Sequence, residues 1–194
     1  MNKSEREAKR QEQSEALYAS IGRFVVKFEW VCEQMTSCII FSLGSDGLRT
    51  QNLAWALLAE LNANALLQSF RAVVAELRKT DAGDMLILDN VSKRVEGLIK
   101  QRNDVIHRTW FIGAASEQDE DFSKVDSWKF KKTGRGAKYK PRKGSVDEFN
   151  TLSNEADELA NIIFRISGCL GFNHPFSKSF KVEEDGTVKL PKKE

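Results

Sequence analysis

Apolar residues recur along this chain at steps of three and four. That spacing constrains the fold most, because it gives a helix one continuous buried stripe and cannot do the same for a strand. Leu17, Ile21, Phe24, Val25, Phe28, Cys32, Met35 and Ile39 trace such a stripe and predict a first helix over about 5–43, with the residues from Ser4 as a polar lead-in or frayed end. Thr50 is placed to cap a second helix, about 50–79, which Leu53, Trp55, Leu57, Leu58, Leu61, Leu66, Leu67, Phe70, Val73, Val74 and Leu77 make apolar nearly all round. Such a helix belongs in the middle of a bundle. Its one polar stripe, Glu60, Asn64, Gln68 and Arg71, reads as a solvent-facing strip in preference to a cleft lining. A third helix, about 84–108, turns Leu88, Val91, Val95 and Leu98 toward its neighbours. A fourth, about 145–170, opens on a capping box of Ser145 and Glu148, carries Phe149, Leu152, Ala156, Leu159, Ile163, Ile166 and Leu170 on its core face, and stops at Gly171.

Between the third and fourth helices the pattern lapses. Residues 109–144 carry the acids Glu117, Asp119, Glu120 and Asp121, then Val125, Trp128 and Phe130, then Gly134-Arg135-Gly136. This is an insertion expected to hold an irregular β-hairpin that pairs 109–112 with 127–131. The tail, 171–194, suits a small hairpin about Asp185-Gly186. The expected architecture is a single all-α domain over residues 1–194, a four-to-five-helix bundle with a long, partly β or irregular basic insertion.

Charge sharpens the picture. Lys129, Lys131, Lys132, Arg135, Lys138, Lys140, Arg142 and Lys143 put +8 on a stretch without an acid, against +2 for the whole chain, so the remainder carries −6. Trp128, Phe130 and Tyr139 interleave with these cations, a combination that suits a single-stranded nucleic acid, with phosphates held by charge and bases stacked on rings. The plainer reading is a solvated loop. Three cysteines, Cys32, Cys38 and Cys169, sit in helical apolar patterns as small core residues. Two histidines, His107 and His174, with no Cys-x-x-Cys or His-x-x-x-His spacing, leave zinc without a ligand set, which disfavours metal-dependent catalysis and leaves carboxylate-bound magnesium as the open alternative; the expectation is no metal and no cofactor. No apolar run approaches the roughly 18–20 residues of a membrane span, and residues 1–15 lack the apolar core of a secretory signal. The expectation is a cytoplasmic protein that does not engage a membrane.

One short stretch exceeds structural need: Arg102-Asn103-Asp104-Val105-Ile106-His107, late in the third helix. Arg102 falls on the apolar stripe, where a guanidinium must find an anion, a carboxylate or a solvated interface. Asn103 and His107 are four apart and share a helix face, close enough for the amide to orient the imidazole. Arg102 and His107 diverge by about 140° around the helix, so one copy makes a poor active site.

This hexapeptide, as Arg-Asn-x-x-x-His on the third helix of a bundle, resembles the signature of the HEPN superfamily, whose members are typically ribonuclease toxins, defence effectors or RNA-processing enzymes. The resemblance implies a homodimer in which two third helices bring two Arg102 and two His107 side chains around a shared cleft. It further implies metal-independent RNA cleavage by the ribose 2′-hydroxyl, without a cofactor, and a role as a toxin or anti-phage effector governed by a separate antitoxin or regulatory protein. His107 would then move the proton, Arg102 stabilise phosphoryl charge and Asn103 orient, with Asp104, Glu29 and Glu33 as supporting residues. The structural alternative pairs Arg102 with Glu29 or Glu33, and Asp104 with Arg108. Two further alternatives stay open. One is a non-catalytic HEPN-like module for dimerisation or partner binding; the other is a nucleic-acid-binding regulator relying on residues 129–143, for which His107→Ala would change nothing.

Overall fold

A computed structural model describes residues 2–113, 121–134, 136–184 and 186–191. Five α-helices and a three-stranded antiparallel sheet dominate the described residues, so the chain is mainly helical. Helix α1 spans Lys3–Ser45. Its start is not a fray: Asn2 Oδ1 accepts from Glu5 N at 2.8 Å and Glu5 Oε2 accepts from Asn2 N at 2.9 Å, so two orphan amides are satisfied reciprocally.

The helix expected over 50–79 is instead two, α2 (Gln51–Leu58) and α3 (Ala63–Arg78). Asn62 makes the break, its Oδ1 accepting from Asn64 N and Ala65 N at 3.1 Å each, because a short amide side chain competes for backbone donors better at a helix start than within one. Thr50 does precede α2, but its side chain caps nothing. Nor is this stretch a bundle centre, since Leu53, Trp55, Leu57, Leu61 and Leu77 are exposed and Ala54 is the buried residue of α2. Helix α4 (Ala82–Ile106) starts on Asp81, whose Oδ1 accepts from Gly83 N and Asp84 N at 2.9 Å. Helix α5 spans Val146–Gly171. No helix among the described residues is long and apolar enough to cross a membrane.

The chain divides into two compact units. The first comprises residues 1–27 and 101–154. Leu17, Phe24, Val105, Phe122, Val125 and Phe149 are buried in it. Its sheet runs β1 (Thr109–Trp110), β2 (Lys124–Thr133), β3 (Gly136–Ser145) in that spatial order. The expected pairing of the segment after α4 with the Trp128 region is present, Thr109 opposite Trp128 and Trp110 opposite Ser127. The basic run is no loop. It lies on the distal half of β2 and on β3, which pair along the whole length of β3 from Lys124–Ser145 to Thr133–Gly136. At Gly144 a Cβ would lie 2.8 Å from both the Phe149 and Trp110 rings, so only glycine lets the strand approach the edge-to-face pair those rings make at 5.3 Å.

The second unit comprises residues 28–100 and 155–194. Phe28, Met35, Phe70, Leu88, Val91, Val95, Leu159, Ile163 and Ile166 fill its core. Cys38 and Cys169 are buried among them, and burial pushes the Cys38 thiol up to about 12. The tail is held by polar clamps. Arg78 donates to Asn173 Oδ1, Cys169 O and His174 O and lies over the Phe176 ring, while Asp84 Oδ1 accepts from Phe176 N at 2.7 Å. Arg94 pairs with Glu155 and Glu158 and donates to Val188 O. The expected terminal hairpin is β4 (Lys181–Val182) with β5 (Val188–Lys189); Gly186 adopts φ +82° in its turn, and Asp185 lies outside the described residues.

Candidate functional site

Helix α4 ends at Ile106, and the groups that finish it also build the site. Trp110 Nε1 donates to Val105 O at 2.8 Å, satisfying a carbonyl the last turn would leave orphaned. His107 stands exposed one residue beyond the helix, where the C-terminal dipole favours a cation. Arg102 is half-buried, and its Nη1 donates to Asn103 Oδ1 at 3.3 Å. The structure thus joins Asn103 to Arg102, where the spacing suggested a link between Asn103 and His107.

Asp104 is the hub. Its carboxylate accepts from Arg108 Nε at 2.9 Å, from Arg142 Nη1 at 2.7 Å and from Lys129 Nζ. Arg142 bridges onward to Glu148, whose backbone N–H donates to Ser145 Oγ at 3.2 Å as the capping box predicts. Arg108 Nη1 also donates to Lys140 O at 2.8 Å. Burial opposes ionisation of Asp104, but hydrogen bonds from Arg108, Lys129 and Arg142 overcome it and hold the carboxyl below the usual carboxylate range. Asp104 is therefore an anchor: it ties β2 and β3 to the turn of α4 that carries Arg102 and Asn103.

Strand geometry then sorts the insertion's side chains. Successive residues point to opposite faces and register partners share one. Lys129 faces Lys140 and Lys131 faces Lys138, on the side from which Lys129 and Arg142 reach Asp104. Trp128 faces Pro141 and Phe130 faces Tyr139, on the other side, with Lys132 and Lys143 at the two ends of that face. What interleaves in sequence is segregated in space. The rings form a chain, Phe111 to Trp128 at 4.4 Å, Trp128 to Tyr139 at 6.0 Å and Tyr139 to Phe130 at 5.9 Å. They stay open to solvent, with Phe130 66%, Tyr139 49% and Trp128 41% exposed.

Of the eight basic residues singled out in the insertion, Lys129 and Arg142 are neutralised by Asp104 and Glu148. Lys131, Lys132, Lys138, Lys140 and Lys143 pair with no carboxylate among the described residues. Arg135 lies outside the described residues. Glu29 and Glu33 are exposed on α1 in the second unit, where Ser37 Oγ donates to Glu33 Oε1 at 2.9 Å. Sequence reasoning missed Glu148 as a second anchor for the hairpin. Its signal was the capping box, which gave the residue a different partner.

The polar stripe read on the second helix is exposed as expected, with Asn64, Gln68 and Arg71 on α3. Glu60 precedes α3, and Gln68 and Arg71 line an open cleft of about 510 Å³ in the second unit, where Arg71 pairs with Asp89 at 2.6 Å. Comparison of the chain with family models, curated proteins and solved structures finds no match in any of the three.

Proposed function

We propose that the chain is a metal-independent endoribonuclease of HEPN type, working as a homodimer in toxin or anti-phage defence. The observation that carries this reading is the Asp104 anchor: the Arg102-Asn103-x-x-x-His107 turn of α4 and the lysine face of the β2–β3 hairpin are tied together by one carboxylate. A polyanion lying along Lys131, Lys138 and Lys140 is led toward the end of α4.

The chemistry is in-line transfer within RNA. The 2′-oxygen bonds to the adjacent phosphorus while the bond from phosphorus to the 5′-oxygen breaks, leaving a 2′,3′-cyclic phosphate and a 5′-hydroxyl. A histidine, whose charge changes between about pH 5 and 8, suits both proton transfers: His107 of one protomer accepts the 2′-hydroxyl proton and its two-fold mate supplies one to the departing oxygen. Arg102 offers a planar fork of donors to the phosphoryl oxygens, and Asn103, bonded to it, fixes its aim. Two copies complete the site in this reading, because within one chain Arg102 is half-buried on α4 while His107 stands exposed beyond its end.

The test is cleavage of total cellular RNA in excess EDTA by wild type, His107→Ala and Arg102→Ala, each with unchanged helicity. Wild type is expected to cut and each variant to lose at least about 100-fold, the usual scale for a general acid–base group or a charge-stabilising donor. Equal inertness of all three, with RNA binding retained, would replace this reading with that of an RNA-binding module built on the hairpin.

A further inference from the structure

We infer that the outer face of the β2–β3 hairpin is a stacking platform for unpaired RNA bases, a site separate from the α4 residues that selects single-stranded substrate. This rests on the nuclease reading for the identity of the nucleic acid, and on geometry for the rest. Three rings stand side by side on one sheet face, in contact with each other and open to solvent, where a hairpin stabilised by burial would turn them inward. Phe130 and Tyr139 are direct register partners at the distal half of the hairpin, and no backbone or side-chain hydrogen bond requires their rings to be aromatic. Lys132 and Lys143 bracket the rings along the same face, Lys143 opposite Asp126, and supply cations at both ends of a strand whose bases lie between them. A ring face of this kind admits bases only when they are unstacked and unpaired, because a duplex keeps its π faces covered. The opposite face, where Lys131 opposes Lys138 and Lys140 lies beside them while Lys129 is taken up by Asp104, meets phosphate alone and is indifferent to pairing. Selectivity for single strands therefore belongs to the ring face, and polyanion affinity is shared by both.

The experiment uses the full chain and fluorescein-labelled 2′-O-methyl oligouridylate, which lacks the attacking hydroxyl and so reports binding whether or not the protein cuts. A 2′-O-methyl duplex of the same length is the comparison. Phe130→Leu and Tyr139→Leu keep apolar bulk at exposed positions and remove the π face. Each is expected to weaken single-strand binding about tenfold, to leave duplex binding within twofold, and to leave the salt dependence unchanged. Lys131→Gln with Lys138→Gln should weaken both probes and flatten the salt dependence for each. Ring variants that bind the single strand within twofold of wild type, or that lose the duplex equally, overturn the platform. Cleavage in EDTA that survives such a result would leave the nuclease standing without it. Ring-dependent binding by a protein that never cuts would do the reverse.

Discussion

Asp104 holds three cations on two oxygens, and its side chain is 25% exposed, so the arrangement is neither a surface pair nor a sealed one. Removing its charge leaves Arg108 without a carboxylate and Arg142 with Glu148 alone, both side chains mostly buried, and Asp104→Asn should cost about 2–3 kcal/mol in urea unfolding, somewhat under the figure for breaking a fully buried pair. The pH dependence follows from the direction of its shift. The folded carboxyl titrates below the unfolded value of about 4, so its stabilisation is complete above that pH and is lost as pH falls through the folded value. The variant should therefore show a flatter acid limb than wild type, read from midpoints between about pH 2 and 5. Asp84 has the opposite slope. Burial raises its carboxyl pKa despite the Phe176 N–H and the Arg78 guanidinium, so ionising it costs stability as pH rises through the acid range. Of the candidate residues, Arg102 and His107 can be singled out in the sequence because the motif that carries them is local. The Asp104–Arg142 contact spans 38 residues and depends on a strand register that no periodicity announces.

Among the elements, the helices with a clean apolar stripe, α1, α4 and α5, lie within two residues of where spacing put them. The stretch over 50–79 failed because its apolar residues run on without interruption while a single side chain, Asn62, breaks the helix by taking two amides. Strand β2 was half legible through the Val125, Trp128 and Phe130 pattern. Strand β3 was not: Ala137, Tyr139 and Pro141 do alternate with Lys138, Lys140 and Arg142, but the density of charge and the proline read as a solvated loop, and the strand draws its place from pairing with β2, from Gly144 against Phe149 and from Arg142 on Asp104. That hairpin stacks like charges. Lys131 directly opposite Lys138 is unfavourable in the free protein, and Lys131→Glu should stabilise it by about 0.2–1 kcal/mol, seen as a raised thermal midpoint, while lowering RNA affinity. A gain in one paired with a loss in the other marks the lysines as retained for an anionic partner.

For the whole molecule, the proposed two-copy site would make activity a property of assembly. If RNA cleavage requires the dimer, dilution well below its dissociation constant should lower the rate about 100-fold for each tenfold in protein, against tenfold for a self-sufficient monomer; initial rates alongside sedimentation velocity check this. The order of the chain adds a second condition. Residues 101–154 belong to one unit, yet the other is assembled from segments on both sides of them. Asp84 receives its Phe176 N–H from 92 residues downstream, and Arg78 waits as long for the carbonyls of Cys169 and His174. At ribosomal rates of about 5–20 residues per second, several seconds pass between synthesis of the buried acid and arrival of its partner. The unit with the motif can pack its hairpin against α4 meanwhile, so a nascent chain holds Arg102 and His107 in place before the rest has closed; under the proposed function, the requirement for a second copy would keep such a chain silent beside the message that encodes it.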